Sequence, residues 1–156
     1  MSKSLKRVMA EAERLGLSIS PVKLDAGTRT AAEAAAARGC EVAQIVKSVV
    51  LRDEFGDRHF LFLTAGSNTV DLAKAGDLAG QKLRAGDAAS IRQHTGFAIG
   101  GVSPLGHITP IETWMDPLIL SFATVWAAAG TPHHVFEIEP ATLRGGTKAT
   151  VAEFTA

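Results

Sequence analysis

A glycine-rich segment at residues 96–107, GFAIGGVSPLGH, is the part of the sequence best suited to bind a small polar group. It contains Gly96, Gly100, Gly101, Gly106 and Pro104. Because glycine has no Cβ, a substrate can approach the backbone N–H groups of such a segment closely. The segment matches neither the G-x-x-x-x-G-K-[ST] nor the G-x-G-x-x-G phosphate motif. It predicts backbone recognition of a small polar group, although a tight helix-to-strand connection would use the same residues.

Lys47 is the second residue of interest, because it interrupts the apolar run IVKSVVL at residues 45–51. Burying an unpaired lysine costs free energy, so simple alternation places Lys47 on the solvent face of a half-buried strand. A lysine that faces a cavity would instead supply a fixed positive charge for a phosphate or a carboxylate. The residues alone leave both interpretations open.

The other reactive side chains do not form a recognised catalytic set. Ser103 precedes Pro104 and lacks a G-x-S-x-G elbow, which argues against a serine hydrolase. The five histidines show no metal-ligand spacing, so no metal site is predicted. His107, at the end of the glycine-rich segment, is the histidine best placed for a site. Asp116 could orient a ligand amine or cap a helix that begins at Pro117.

Length and composition predict a single domain over residues 1–156. The chain is 46% apolar, and at this length roughly 68–70% of the unfolded surface can be buried without a disulfide. The presence of a single cysteine, Cys40, is typical of proteins in a reducing compartment. We expect Cys40 to act as a small apolar residue. The formal net charge is zero, which argues against a protein that coats DNA or RNA. Contact with RNA would therefore be local.

The N-terminal residues, MSKSLKRVMAEAERLG, alternate charged and apolar positions and contain no continuous hydrophobic stretch. Such a pattern predicts neither a signal peptide nor a membrane span. We therefore expect a cytoplasmic protein that has no membrane partner.

Periodicity predicts the elements that must position these residues. Helical spacing and capping signals predict helices at 5–15, 30–39, 71–78, 87–95 and 140–143. Apolar β-branched runs predict strands at 18–24, 46–51, 59–64, 111–115, 124–128 and 135–138. Residues 46–51 and 59–64 are expected to form a hairpin. Because helices alternate with paired strands, the pattern favours an α+β fold with a mixed sheet.

Several segments together resemble the YbaK family, the stand-alone relatives of the editing domain inserted in bacterial prolyl-tRNA synthetases. The matching segments are EVAQIVKSVVL around Lys47, GSNTVDLAK at 66–74, GGVSPLGH with G-x-x-x-P at Gly100 to Pro104, and VWAAAGTPHHVF at 125–136. They occur in the family's order and spacing from about Thr28 to the C-terminus. The lysine and the glycine loop together make the resemblance fairly specific for the family, but not for a substrate.

The resemblance implies an α+β fold with a mixed, barrel-like sheet and packed helices. It also implies hydrolysis of mischarged aminoacyl-tRNA, commonly tRNA(Pro) carrying alanine, cysteine, serine or threonine, without a cofactor or a metal. Carried over, the key polar residue is Lys47, and the loop from Gly100 through Ser103 to Pro104 lines the pocket. The expected partners are the acceptor end of tRNA and prolyl-tRNA synthetase.

An aminoacyl ester is already activated, so positioning and stabilisation of the oxyanion would be enough for catalysis. N–H groups from Gly100 and Gly101 to Val102 are expected to face the ester carbonyl, with Lys47 on the terminal phosphate or ribose. His107 and Asp116 are further candidates for substrate contact.

No motif identifies the residues that set the size of the amino-acid pocket. Val22, Thr30 and Val102 are candidates, and a few apolar side chains could decide specificity because one methylene changes binding by only about 1–3 kcal/mol.

Two other functions fit the same residues. The chain could be a non-catalytic module that binds a tRNA acceptor end or an aminoacyl ligand, or it could hydrolyse small aminoacyl esters that lack tRNA. The first would bind without deacylating, and the second would act on a minimal ester.

Overall fold

The computed structural model describes residues 1–25 and 28–156. Within these ranges the helices are α1 (Lys3–Arg14), α2 (Ala31–Arg38), α3 (Leu72–Ala79), α4 (Ala88–Thr95) and α5 (Pro140–Thr147). The strands are β1 (Val22–Lys23), β2 (Ile45–Asp53), β3 (His59–Ala65), β4 (Leu83–Ala85), β5 (Glu112–Met115), β6 (Val125–Ala128), β7 (His134–Ile138) and β8 (Thr150–Val151). Two 3₁₀ helices, Val42–Gln44 and Pro117–Ser121, complete the described structure.

One mixed sheet contains all eight strands, in the order β1-β7-β6-β2-β3-β5-β8, with β4 also paired to β2. The predicted hairpin is present, with Val46 opposite Ala65 and Lys47 opposite Thr64. Strand β6 runs parallel to β2, and β5 runs parallel to β3. The predicted α+β fold with a mixed sheet and packed helices is therefore confirmed.

Residues from five of the strands contribute to one main hydrophobic core. Leu61, Met115, Val125 and Phe136 are fully buried in this core. Helix α1 contributes Leu5 and Val8, and the glycine-rich segment contributes Phe97, Val102 and Leu105. The loop expected to bind substrate is thus anchored in the core of the domain.

Local signals position the helices as predicted. Thr30 and Asp87 accept hydrogen bonds from the first-turn N–H groups of α2 and α4. Gly39 and Gly96 end the same helices in the left-handed conformation, which glycine adopts without a steric penalty. The start of the glycine-rich segment is therefore fixed by the end of α4.

The predictions for residues 18–24 and 140–143 need correction. Only Val22–Lys23 is a strand, because it lies at the sheet edge and pairs with β7 over two residues. The last helix extends to Thr147, through Gly145 and Gly146. Strands β4 and β8 had no counterpart among the predicted elements.

Among residues 1–25 and 28–156, no helix has the length and apolar character needed to cross a bilayer.

Candidate active site

A cavity of about 400 Å³ lies between helix α2, the start of β2, the glycine-rich segment and the connection from β6 to β7. Its volume falls within the range of small-molecule sites. The lining residues are Leu24, Thr28, Arg29, Thr30, Ala31, Ala34, Ile45, Val46, Lys47, Ser48, Gly100, Val102, Trp126, Ala127, Ala128, Thr131, Pro132, His134 and Val135. Four of the predicted site residues, Thr30, Lys47, Gly100 and Val102, are therefore brought together at one cavity.

Lys47 is half-buried and lines this cavity. Its Nζ donates a hydrogen bond to the backbone carbonyl of Asn68. Burial lowers the pKa of the Lys47 ammonium, and the nearby Asp116 carboxylate opposes that effect. One carbonyl leaves other ammonium N–H groups available, because lysine has three donors. Lys47 therefore supplies a positive charge at the cavity wall.

Asp116 supports Lys47 through Asn68 rather than by lining the cavity. Its Oδ2 accepts hydrogen bonds from the Asn68 side-chain amide at 2.8 Å and from the Ala65 N–H at 3.1 Å. Its Oδ1 accepts from the Leu118 N–H at 3.0 Å and caps the 3₁₀ helix. Asp116 is 2% exposed. The helix-cap interpretation is therefore the one that the structure shows, and the expected contact with a ligand amine needs correction.

The edge of β2 is open where the cavity meets it. On this side β2 pairs with β6 only at Ile45 and Val46, and with β4 from Leu51 onwards. Among the described residues, no strand pairs with β2 between these two stretches on that edge. Lys47 and Ser48 point to opposite faces of the strand, yet both line the cavity. The cavity thus reaches the backbone edge of β2.

Gly100 and Val102 of the glycine-rich segment line the cavity, and Gly100 does so with its backbone because it has no side chain. Gly100 has φ +86°, a conformation that other residues rarely adopt. Neither its N–H nor that of Val102 donates to any residue in the described part of the chain. The N–H of Gly101 differs, because it donates to the Ala98 carbonyl at 3.0 Å. Gly100 and Val102 are therefore the available donors, and the expectation for Gly101 needs correction.

Gly101 has a steric role instead. A Cβ at this position would lie 2.7 Å from the Thr131 carbonyl carbon and 2.9 Å from the Pro132 nitrogen. Only glycine lets the two loops come this close. Gly101 therefore sets the distance between two walls of the cavity.

Ser103 and Pro104 are buried and are not among the lining residues. The Ser103 hydroxyl accepts a hydrogen bond from the Leu105 N–H at 3.2 Å. Both residues shape the loop from behind, so their predicted direct contact with substrate is corrected to a supporting role.

His107 is also not among the residues that line the cavity. Its Nε2 lies 2.6 Å from the Ser103 carbonyl, and its ring meets Phe97 edge-on at 5.2 Å between centroids. Burial lowers the pKa of His107 to about 4. A neutral imidazole must then donate its Nε2 proton to the carbonyl. The expectation that His107 binds substrate is therefore corrected, since its ring bonds to its own loop.

The depressed pKa of His107 makes stability depend on pH. The unfolded state binds a proton below the ordinary pKa of 6.5, whereas the folded state does so only near 4. The contribution of His107 to the free energy of unfolding is therefore complete above pH 6.5. Up to about 3 kcal/mol of that free energy is lost as pH falls to 4. We expect His107→Gln, whose amide can still donate to Ser103, to weaken this loss. Urea unfolding at pH 4.5 and 7.0 measures it, and an unchanged pH dependence in the variant would contradict the assignment.

His134 is the histidine that lines the cavity within the described residues. Its Nδ1 lies 2.6 Å from the Thr131 hydroxyl, which fixes the ring. Burial is the main reason that the pKa of His134 is lowered. In the sequence, His134 lies in the segment VWAAAGTPHHVF at 125–136, but no motif spacing singles it out. The register of β7, which begins at His134, was needed to place the ring.

Arg29 and Trp126 line the cavity without having been singled out from the sequence. Trp126 lies in β6, and the Arg38 guanidinium stacks on its ring at 4.5 Å. Of the three candidates for sizing the pocket, Thr30 and Val102 line the cavity. Val22 does not, and packs behind it in the cluster that contains Trp126.

No group of three or more histidine, cysteine, aspartate or glutamate residues in the described ranges could hold a metal ion.

The fold and site define a small α+β domain with one lysine and an exposed glycine backbone at a cavity suited to a small ligand. The family model for the aminoacyl-tRNA editing domain matches residues 25–145. This match spans most of the chain. The chain therefore belongs to the aminoacyl-tRNA editing domain family.

The chain is similar to solved structures and to a curated sequence. A candidate trans-editing enzyme for prolyl-tRNA synthetase is 45% identical, with a TM-score of 0.93, over 100% of this chain and 99% of that one. A structure of a hypothetical protein is 28% identical, with a TM-score of 0.88, over 96% and 99% of the two chains. The uncharacterised protein YwhH of Bacillus subtilis (strain 168) is 29% identical over 137 residues, 88% of this chain and 87% of YwhH.

Proposed function

We propose that this protein is a trans-editing deacylase, which hydrolyses the ester bond between a wrong amino acid and its tRNA. One observation carries the proposal: Lys47 lines the same cavity as Gly100 and Val102, whose N–H groups have no partner in the described part of the chain. A positive charge beside free backbone donors suits an acyl ester next to phosphate and ribose groups. Membership of the editing-domain family supports the same conclusion.

The proposed reaction is hydrolysis by water. Water attacks the ester carbonyl, and the negative charge on the tetrahedral oxygen is stabilised by the N–H groups of Gly100 and Val102. The bond to the ribose oxygen then breaks, and that oxygen takes a proton as the water loses one. The products are the free amino acid and deacylated tRNA. Lys47 holds the terminal phosphate or ribose, so it fixes the ester beside the glycine loop.

The amino-acid side chain is expected to lie against the apolar part of the cavity. Ala31 and Ala34 from α2 and Ile45 from β2 line that part. Walls of this kind discriminate by size, and one methylene is worth about 1–3 kcal/mol. Alanine, cysteine, serine and threonine fit the expected size class, and the proposed tRNA is tRNA(Pro). The similarity to a candidate trans-editing enzyme for prolyl-tRNA synthetase supports that tRNA and a cytoplasmic site of action beside the synthetase.

The test is deacylation of tRNA(Pro) charged in turn with alanine, serine, threonine, cysteine and proline. We expect release of one wrong amino acid at least about tenfold above spontaneous hydrolysis, with proline spared. The uncharged tRNA and a non-hydrolysable amide analogue serve as binding controls. Release of none of them, with the amide analogue still bound, would overturn the proposal in favour of a binding module. Equal turnover of a minimal aminoacyl-adenosine ester would instead favour a small-ester hydrolase.

A further inference from the structure

The two ends of the glycine-rich segment meet at a single side chain of helix α1. Arg7 donates from Nε to the Gly106 carbonyl at 2.6 Å and from Nη2 to the Gly96 carbonyl at 2.8 Å. These two nitrogens form one fork of the planar guanidinium, so one rigid group binds both carbonyls. Arg7 therefore closes the loop that contains Gly100 and Val102.

The same guanidinium also contacts the inside of the loop. It stacks on the Phe97 ring at 4.6 Å, and Phe97 is buried in the main core. Phe97 in turn meets the ring of His107, whose Nε2 bonds to the Ser103 carbonyl. Arg7 is therefore connected by direct contacts to the backbone that follows Val102.

The loop packs against the Arg7 side chain at Gly96 and directly against the backbone of helix α1 at Gly106. A Cβ on Gly96 would lie 2.5 Å from Arg7 Nη2, and one on Gly106 would lie 3.1 Å from the Arg7 carbonyl oxygen. This close approach fixes the position of the loop relative to the helix. The family match covers residues 25–145, so α1 lies outside it. The contact thus joins the matched residues to a helix that precedes them.

We propose that Arg7 is a positioning residue for deacylation, which holds the Gly96–Gly106 loop so that the Gly100 and Val102 N–H groups face the ester oxygen. The inference rests on the proposed function. Donors that stabilise an oxyanion must be preorganised, because small displacements remove much of their effect. Arg7 acts through the loop and does not itself line the cavity.

The first experiment compares the kinetics of Arg7→Ala and Arg7→Lys with wild type on the tRNA substrate that the deacylation test identifies. We expect kcat to fall at least about tenfold in both, with KM within about threefold, because substrate binding through Lys47 is kept. The Arg7→Lys variant is expected to lose activity because one ammonium group cannot reproduce the planar pair of donors in the guanidinium. Millimolar guanidinium is expected to restore part of kcat in Arg7→Ala. It should not restore activity in Lys47→Ala.

The matched control is Arg14→Ala. Arg14 lies on the same helix, but its side chain is 69% exposed and its guanidinium pairs with Glu11. We expect wild-type kinetics from this variant. Wild-type kcat in Arg7→Ala, or a KM effect with unchanged kcat, would overturn the positioning role.

Hydrogen exchange separates this inference from the proposed function, because it needs no activity. We expect backbone amides of residues 96–107 to exchange at least about tenfold faster in Arg7→Ala, with protection restored by guanidinium and unchanged in Arg14→Ala. If residues 96–107 exchange faster in Arg7→Ala but the wild-type protein deacylates no substrate, the proposed function is overturned. The role of Arg7 in holding the loop would then still stand. Unchanged exchange in Arg7→Ala would overturn the role of Arg7 in holding the loop.

Discussion

Replacing Lys47 with alanine is expected to lower kcat/KM for deacylation at least about 100-fold. The Lys47 ammonium lines the cavity and is fixed by its bond to the Asn68 carbonyl. Its removal leaves the phosphate or ribose of the substrate without a charged partner, so the ester is no longer held at Gly100. Single-turnover deacylation of the tRNA substrate that the proposed deacylation test identifies, for wild type and variant, measures the effect.

Lys74→Ala is the matched control for this experiment. Lys74 also donates from Nζ to a backbone carbonyl, that of Thr155 at 2.9 Å, but it is exposed and does not line the cavity. We expect wild-type activity from this variant and melting temperatures within about 4 °C of wild type for both. Lys47→Arg keeps the charge but changes the position of the donors, so intermediate activity is expected. Full activity in Lys47→Ala would rule out the proposed role of the lysine.

The local part of the fold could be predicted from the sequence because its signals are local. Thr30 and Asp87 cap their helices with their own side chains, and Gly39 and Gly96 end those helices at positive φ. The hairpin was predicted because its two apolar runs are joined by a short polar turn. Each of these signals needs only a few neighbouring residues.

The short strands could not be predicted because their partners are distant in sequence. Strand β4 pairs with β2 and β8 pairs with β5, and each is only two or three residues long. Residues 18–24, in contrast, were predicted as a longer strand than the structure contains. An extended stretch that contains Pro21 pairs only at Val22–Lys23, where β7 lies beside it. Pairing, rather than propensity, decides all three segments.

The site was predictable where a motif and a cavity coincide, as at Lys47 and Gly100. The direction of individual side chains was not. Asp116 and His107 lie beside the site in sequence and in space, but their polar atoms bond to Asn68 and Ser103. His134 enters the cavity because it begins strand β7 opposite Lys23. That register is a long-range property, which no local pattern in the sequence specifies.

Gly101→Ala is expected to reduce both activity and stability, although the added group is one methyl. The new Cβ would lie 2.7 Å from the Thr131 carbonyl carbon and 2.9 Å from the Pro132 nitrogen. These are backbone atoms, so no side-chain rotation can relieve the clash. The φ angle of Gly101 is not in the left-handed region, unlike that of Gly100, so the expected effect is steric. The two loops must therefore separate.

Separation of these two loops would change the shape of the cavity, because Thr131 and Pro132 line one wall of it and Gly100 lines another. We expect kcat/KM to fall at least about tenfold and the free energy of unfolding to fall by about 1–3 kcal/mol. Deacylation kinetics and urea unfolding measure the two effects. Gly145→Ala is the control, since a Cβ there meets nothing within 4 Å and alanine favours helix α5 by about 0.5–1 kcal/mol. Wild-type activity and stability in Gly101→Ala would mean that the two loops do not approach this closely in solution.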